Sequence, residues 1–92
     1  CAVSATGWGE FFIRLDVAHD ISARMDYKGQ SLADAAAATI AAVGKLGGDG
    51  GVIGIDRQGN ITMEFNSPGM YRAYHITGKA PVIAVYGDEP RR

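Results

Sequence analysis

The chain has 92 residues, 47% of them hydrophobic, and a formal net charge of −1. That describes about one small domain with enough apolar content for a packed core, and it argues against disorder. The near-zero charge supplies no electrostatic pull toward nucleic acid or an anionic lipid surface.

A single cysteine, Cys1, excludes an internal disulfide framework and fits a reducing compartment. No apolar run approaches the roughly 20 residues that span a bilayer, and no charged-then-apolar leader is visible. The expected setting is cytoplasmic, with no nucleic acid and no membrane as partner. The pair Arg91-Arg92 reads as a solvated tail.

Residues 1–5 are small and apolar and suit a short buried strand. They open the sequence without the polar lead-in usual at a domain boundary, which suggests a segment of a longer or processed chain. Thr6-Gly7-Trp8-Gly9 is a turn. From Glu10 to about Lys28, apolar residues recur at Phe11, Leu15, Ala18, Ile21 and Met25, the spacing of one helical face. Asp20 and Arg24 form an i, i+4 pair on its polar side, and Gly29 ends it.

Ser31 and Asp34 resemble a capping box for a second helix through about Leu46, with Leu32, Ala36, Ile40 and Val43 facing inward. The glycines around Asp49 form a flexible connector. Strands then follow at 52–55 and 61–66, joined by a turn at 57–60, and further strands at 71–76 and 82–86 follow the break at Ser67-Pro68-Gly69. One strand, two helices and four strands predict an α+β fold, with two helices packed on a mainly antiparallel sheet.

Two accounts of the first turn stand side by side. Thr6 either N-caps the following helix, or joins the backbone N–H groups of the turn in stabilising an anion, including an acyl-transfer oxyanion. Gly7 and Gly9 leave room for a ligand against the backbone. Cys1 is either an N-terminal nucleophile or an inert strand residue. His19 and His75 lie too far apart in sequence to suggest a zinc site, so no metal is expected, and GGDGG lacks the G-K-S/T ending of a phosphate loop. Asp16 and Asp20 share a polar helix face. MYRAY at 70–74 suits a sandwich strand better than an interface.

Four blocks carry a more specific signal: ATGWGEFFIR at 5–14, MDYKGQSLADA at 25–35, LGGDGGVIGIDRQGN at 46–60 and FNSPGMYRA at 65–73. In this order they resemble the bacterial plant-type L-asparaginases, also called isoaspartyl peptidases, of the N-terminal-nucleophile hydrolases. The resemblance implies that residues 1–92 are a single segment, the C-terminal portion of a β subunit, within a four-layer αββα sandwich. It implies an autoproteolytic enzyme that cleaves β-aspartyl peptides and L-asparagine without a cofactor. It also implies an α subunit, the missing N-terminal part of β, and a dimer of αβ heterodimers as partners.

Carried over by position, Thr6 and Gly7 match the pair that forms the oxyanion hole. Trp8 and Gly9 match the rest of the substrate-binding turn, Trp8 at a position that varies in the family. The nucleophilic threonine and the arginine and aspartate that grip the substrate's α-groups have no counterpart here and lie upstream. Cys1 falls within the strand before the turn, not at the nucleophile. The alternative is a non-catalytic module for structure or partner binding, in which the Thr6-Gly7 turn is only a helix cap.

Overall fold

The computed structural model describes residues 1–87, so the Arg91-Arg92 tail lies outside the described residues. The elements run β1 (Ala2–Gly7), α1 (Gly9–Arg14), α2 (Val17–Lys28), α3 (Leu32–Lys45), β2 (Gly50–Ile55), β3 (Ile61–Phe65), β4 (Gly69–Tyr74) and β5 (Val82–Tyr86). Strands β1, β2 and β3 form one antiparallel sheet in that order, and β4 with β5 a second antiparallel pair. The α+β architecture is the predicted one. The strands divide into two antiparallel sheets, with β4 lying against the face of β3, where Arg72 covers the Phe65 ring.

The predicted helix over 10–28 is in fact two. Asp16 adopts φ 49°, a left-handed conformation that aspartate tolerates better than most residues, and it separates α1 from α2. The break has a packing reason. Phe12 and Val17, five positions apart, would sit about 140° apart around a continuous helix. With the break, both are buried in one core with Ile21. Ala18, expected to face inward, is exposed instead, while Phe11, Leu15 and Met25 are partly buried against that core.

Helix α3 follows its sequence signals closely. Ser31 Oγ accepts from the Asp34 N–H at 3.1 Å, and Leu32, Ala36, Ile40 and Val43 are all buried. Thr39 is fully buried between the helices. Its hydroxyl lies 3.0 Å from Asp20 Oδ2 and 2.9 Å from the Ala35 carbonyl oxygen, so one proton serves two acceptors. Arg24 Nε donates to the same Asp20 oxygen at 2.9 Å. Burial works to raise the Asp20 pKa, but the bonds from Arg24 and Thr39, with the charges of Arg24 and Lys28, outweigh it and hold the carboxyl below its ordinary value. This tie between α2 and α3 is present above the ordinary carboxylate range and is lost as pH falls through the lowered value.

The β2–β3 hairpin turns on Asp56. Its carboxylate accepts from the Gln58 and Asn60 N–H groups and from Asn60 Nδ2, each at 2.9 Å, while Gly59 takes φ 85°. In β2, Gly50, Val52 and Gly54 face the helices; a Cβ on Gly50 would meet the Phe12 ring, and one on Gly54 would approach Leu32. Gly51, Ile53 and Ile55 share the other face with their cross-strand partners Phe65, Met63 and Ile61. There Arg72 of β4 sets its guanidinium 4.7 Å from the Phe65 ring centroid and donates to the carbonyls of Met70 and Tyr86. MYRAY is thus strand, with Arg72 buried and Tyr71 exposed.

Residues 1–5 were expected to be buried, yet only Val3 is even half-buried. The reason is position: β1 is an edge strand that pairs with β2 alone. Among the described residues no helix is long and apolar enough to cross a membrane.

Candidate active site

Strand β1 ends at the turn the sequence singles out. Gly7 takes φ 130° opposite Gly50, itself at φ 154°. A Cβ on Gly7 would collide with the Asp49 carbonyl oxygen and lie 2.6 Å from Gly50 Cα. The two glycines therefore let β1 and the Gly-rich loop touch backbone to backbone. Trp8 N–H crosses to the Asp49 carbonyl at 3.0 Å and fixes the turn to the loop.

That loop is not a loose connector. Asn66, just past β3, accepts from the Gly50 N–H through Oδ1 at 2.9 Å and donates through Nδ2 to the Gly48 carbonyl at 3.1 Å. Its own N–H donates to the Gly50 carbonyl at 3.1 Å. Asn66 thus clamps both sides of Asp49, whose carbonyl in turn holds Trp8. Sequence reasoning passed over this residue; a polar residue ending an apolar strand one step before Ser67-Pro68-Gly69 was the available signal. Asn66→Ala leaves the Gly50 amide and the Gly48 carbonyl without these partners and should cost about 1–3 kcal/mol in urea unfolding, with Asn66→Asp falling between it and wild type.

Thr6, Gly7 and Trp8 line one cleft of about 390 Å³, together with Asp49, Gly50, Gly51, Ser67, Gly69, Met70 and Tyr71. The cleft lies between the end of β1, the Gly-rich loop and the start of β4. The helix-cap account of Thr6 fails on geometry. The N-cap of α1 is Trp8, and no side chain caps that helix. Thr6 is two residues too early, and it keeps its place in the ladder opposite Gly51. Thr6 therefore lines the cleft with no capping task.

Two expectations for the turn are corrected. The Trp8 amide, expected to be among the free donors, is spent on Asp49. The helix that follows has six residues, so its macrodipole contributes less than that of a helix running to Lys28. Gly9 is not among the lining residues. It heads α1, and an added Cβ would meet nothing within 4 Å. Gly9→Ala should therefore change unfolding free energy by no more than about 0.5 kcal/mol, so that any rise in KM reports substrate approach and not misfolding.

The other candidates stand apart. Cys1 is exposed and precedes β1 at the end opposite the turn, roughly 16 Å of strand away from Thr6. His19 is on the exposed side of α2, 3.9 Å from Asp16. His75 follows β4, with Nε2 2.8 Å from the Lys79 carbonyl oxygen. Asp20 is engaged by Arg24 and Thr39, and Asp16 serves the helix break.

Helices on one face of a three-stranded antiparallel sheet, a second sheet on the far face, and a glycine turn opening on a cleft define an α+β segment. The chain belongs to the asparaginase family, which it matches over residues 1–85. It is 49% identical over 88 residues to the isoaspartyl peptidase of Salmonella typhimurium, an alignment covering 95% of this chain and 28% of that protein. It is 47% identical over 89 residues to the isoaspartyl peptidase of Escherichia coli, covering 96% of this chain and 28% of that protein. The chain therefore spans little more than a quarter of the length of these relatives.

Proposed function

We propose that residues 1–92 form the C-terminal portion of the β subunit of an amidohydrolase that cleaves β-aspartyl peptides and L-asparagine. Thr6 and Gly7 supply the oxyanion hole. As the carbonyl carbon of the β-aspartyl amide becomes tetrahedral, its oxygen gains negative charge, and the Thr6 hydroxyl and Gly7 N–H donate to it. The attacking threonine lies upstream of this chain and forms an acyl ester as the protonated amine departs. Water then releases aspartate and restores the hydroxyl. Thr6, Gly7 and Trp8 line the substrate-binding turn, and Gly9, outside the cleft lining, completes it at the head of α1.

The observation that carries this reading is Thr6, which lines a cleft and caps no helix. Identity of 47% and 49% to two isoaspartyl peptidases supports the choice of substrate. The working unit is a dimer of αβ heterodimers formed after autoproteolysis, in the cytoplasm. Uncovered apolar residues fit that assembly: Ile53 and Ile55 on the far face of the sheet, and Ile83 on β5, are all exposed.

The test is amine release from β-aspartyl-leucine and ammonia release from L-asparagine. The full-length protein should turn over at least the dipeptide, and the 92 residues alone neither substrate. A full-length protein inert toward both, or turnover by the 92 residues alone, would overturn the reading.

A further inference from the structure

Trp8 has no structural duty that needs an indole. It is the N-cap of α1 without making a side-chain cap bond, and its backbone N–H, not its ring, holds the turn to Asp49. Even so, the ring is supported. It lies 5.9 Å from the Phe11 ring at a 30° tilt, and Phe11 sits so close over Gly48 that a Cβ there would come within 2.8 Å of it. The Arg14 guanidinium also lies over the Phe11 ring, 6.0 Å from its centroid. Trp8 remains 57% exposed on the same cleft as Thr6 and Gly7. Met70 and Tyr71 of β4 also line this cleft, Tyr71 being 89% exposed.

We infer that Trp8 is a specificity residue for the departing amine, forming an apolar wall that favours β-aspartyl dipeptides whose C-terminal residue is aromatic or large and aliphatic. This rests on the proposed oxyanion role of Thr6 and Gly7. If the substrate carbonyl sits at that pair, the residue next in sequence borders the groups attached to the carbonyl. A supported, half-exposed indole gains most from covering by an apolar or aromatic side chain. Glycine leaves that surface wet. Asp49 on the same cleft adds a carboxylate residue that disfavours acidic side chains there.

The experiment compares kcat/KM for β-aspartyl-phenylalanine with that for β-aspartyl-glycine in the full-length protein. Wild type should prefer the phenylalanine substrate, and Trp8→Ala should cut that preference by about five- to tenfold, the size of one aromatic contact. Trp8→Phe should retain most of it, and it serves as the folded control should Trp8→Ala be unstable; Trp8→Leu then replaces Trp8→Ala, with an intermediate loss expected. An unchanged preference in a folded, active Trp8→Ala or Trp8→Leu variant would overturn this inference and leave the proposed function standing. Absence of turnover of both dipeptides by wild type would overturn both.

Discussion

Thr6→Val should lower kcat of the full-length protein by about 10²–10³, the loss typical of one oxyanion donor. KM should change far less, because the carbonyl oxygen carries its full negative charge only in the tetrahedral state. The fold should hardly respond. Thr6 is exposed on an edge strand, opposite a glycine, and no helix depends on it. Valine keeps the β-branched shape that suits a strand. Thr6→Ser should recover much of the lost rate by restoring the hydroxyl. Steady-state kinetics on β-aspartyl-leucine, with thermal melts of each variant, separate the chemical from the structural effect. Unchanged kcat in Thr6→Val would show that the hydroxyl does not meet developing charge.

The largest loss of stability is expected at the next residue. Gly7→Ala forces an L side chain into φ 130°, which costs about 1–3 kcal/mol as backbone strain. It also drives the Cβ into the Asp49 carbonyl and the Gly50 backbone. Neither can give way without breaking the β1–β2 ladder, so overpacking adds about 1–3 kcal/mol. A total of about 2–6 kcal/mol is a large part of the stability of a typical domain. Gly59→Ala is the control. Its φ is 85°, yet an added Cβ would meet nothing within 4 Å, so only the left-handed backbone cost of about 1 kcal/mol applies. Urea denaturation of the two variants should differ by at least about 1 kcal/mol, the smallest overpacking cost. Equal loss in both would mean that β1 and the Gly-rich loop are not in backbone contact.

These two residues show how unevenly the molecule is written in its sequence. Helix α3 announced itself through Ser31, Asp34 and its apolar row because capping and periodicity are local, and the β2–β3 hairpin through the apolar run of β2, the alternation of β3 and Gly59. The break at Asp16 was not legible. An aspartate in the left-handed region looks like any polar residue on a helix face, and the gain from burying Phe12 and Val17 together is a tertiary effect. The separation of β4–β5 from the first sheet could not be read from the strand patterning, although the family resemblance implied two sheets. Period-two patterning marks a strand but not the sheet it joins.

At the site, the pattern T-G-x-G pointed to the turn but left the task of Thr6 open. Its resolution as a cleft residue came from where α1 begins, two positions beyond what a Thr6 cap requires. The Asn66 clamp on Gly48 and Gly50 joins residues 16 and 18 positions apart, beyond the reach of any local motif.

The most direct measurement is the crystal structure of the full-length protein with L-aspartate, the acyl product, bound. A side-chain carboxylate oxygen of the ligand within hydrogen-bond distance of Thr6 Oγ1 and the Gly7 amide, with Trp8 at the edge of the ligand, is the predicted result. Aspartate bound at another site, with the Thr6–Gly7 cleft holding only solvent, would contradict the account.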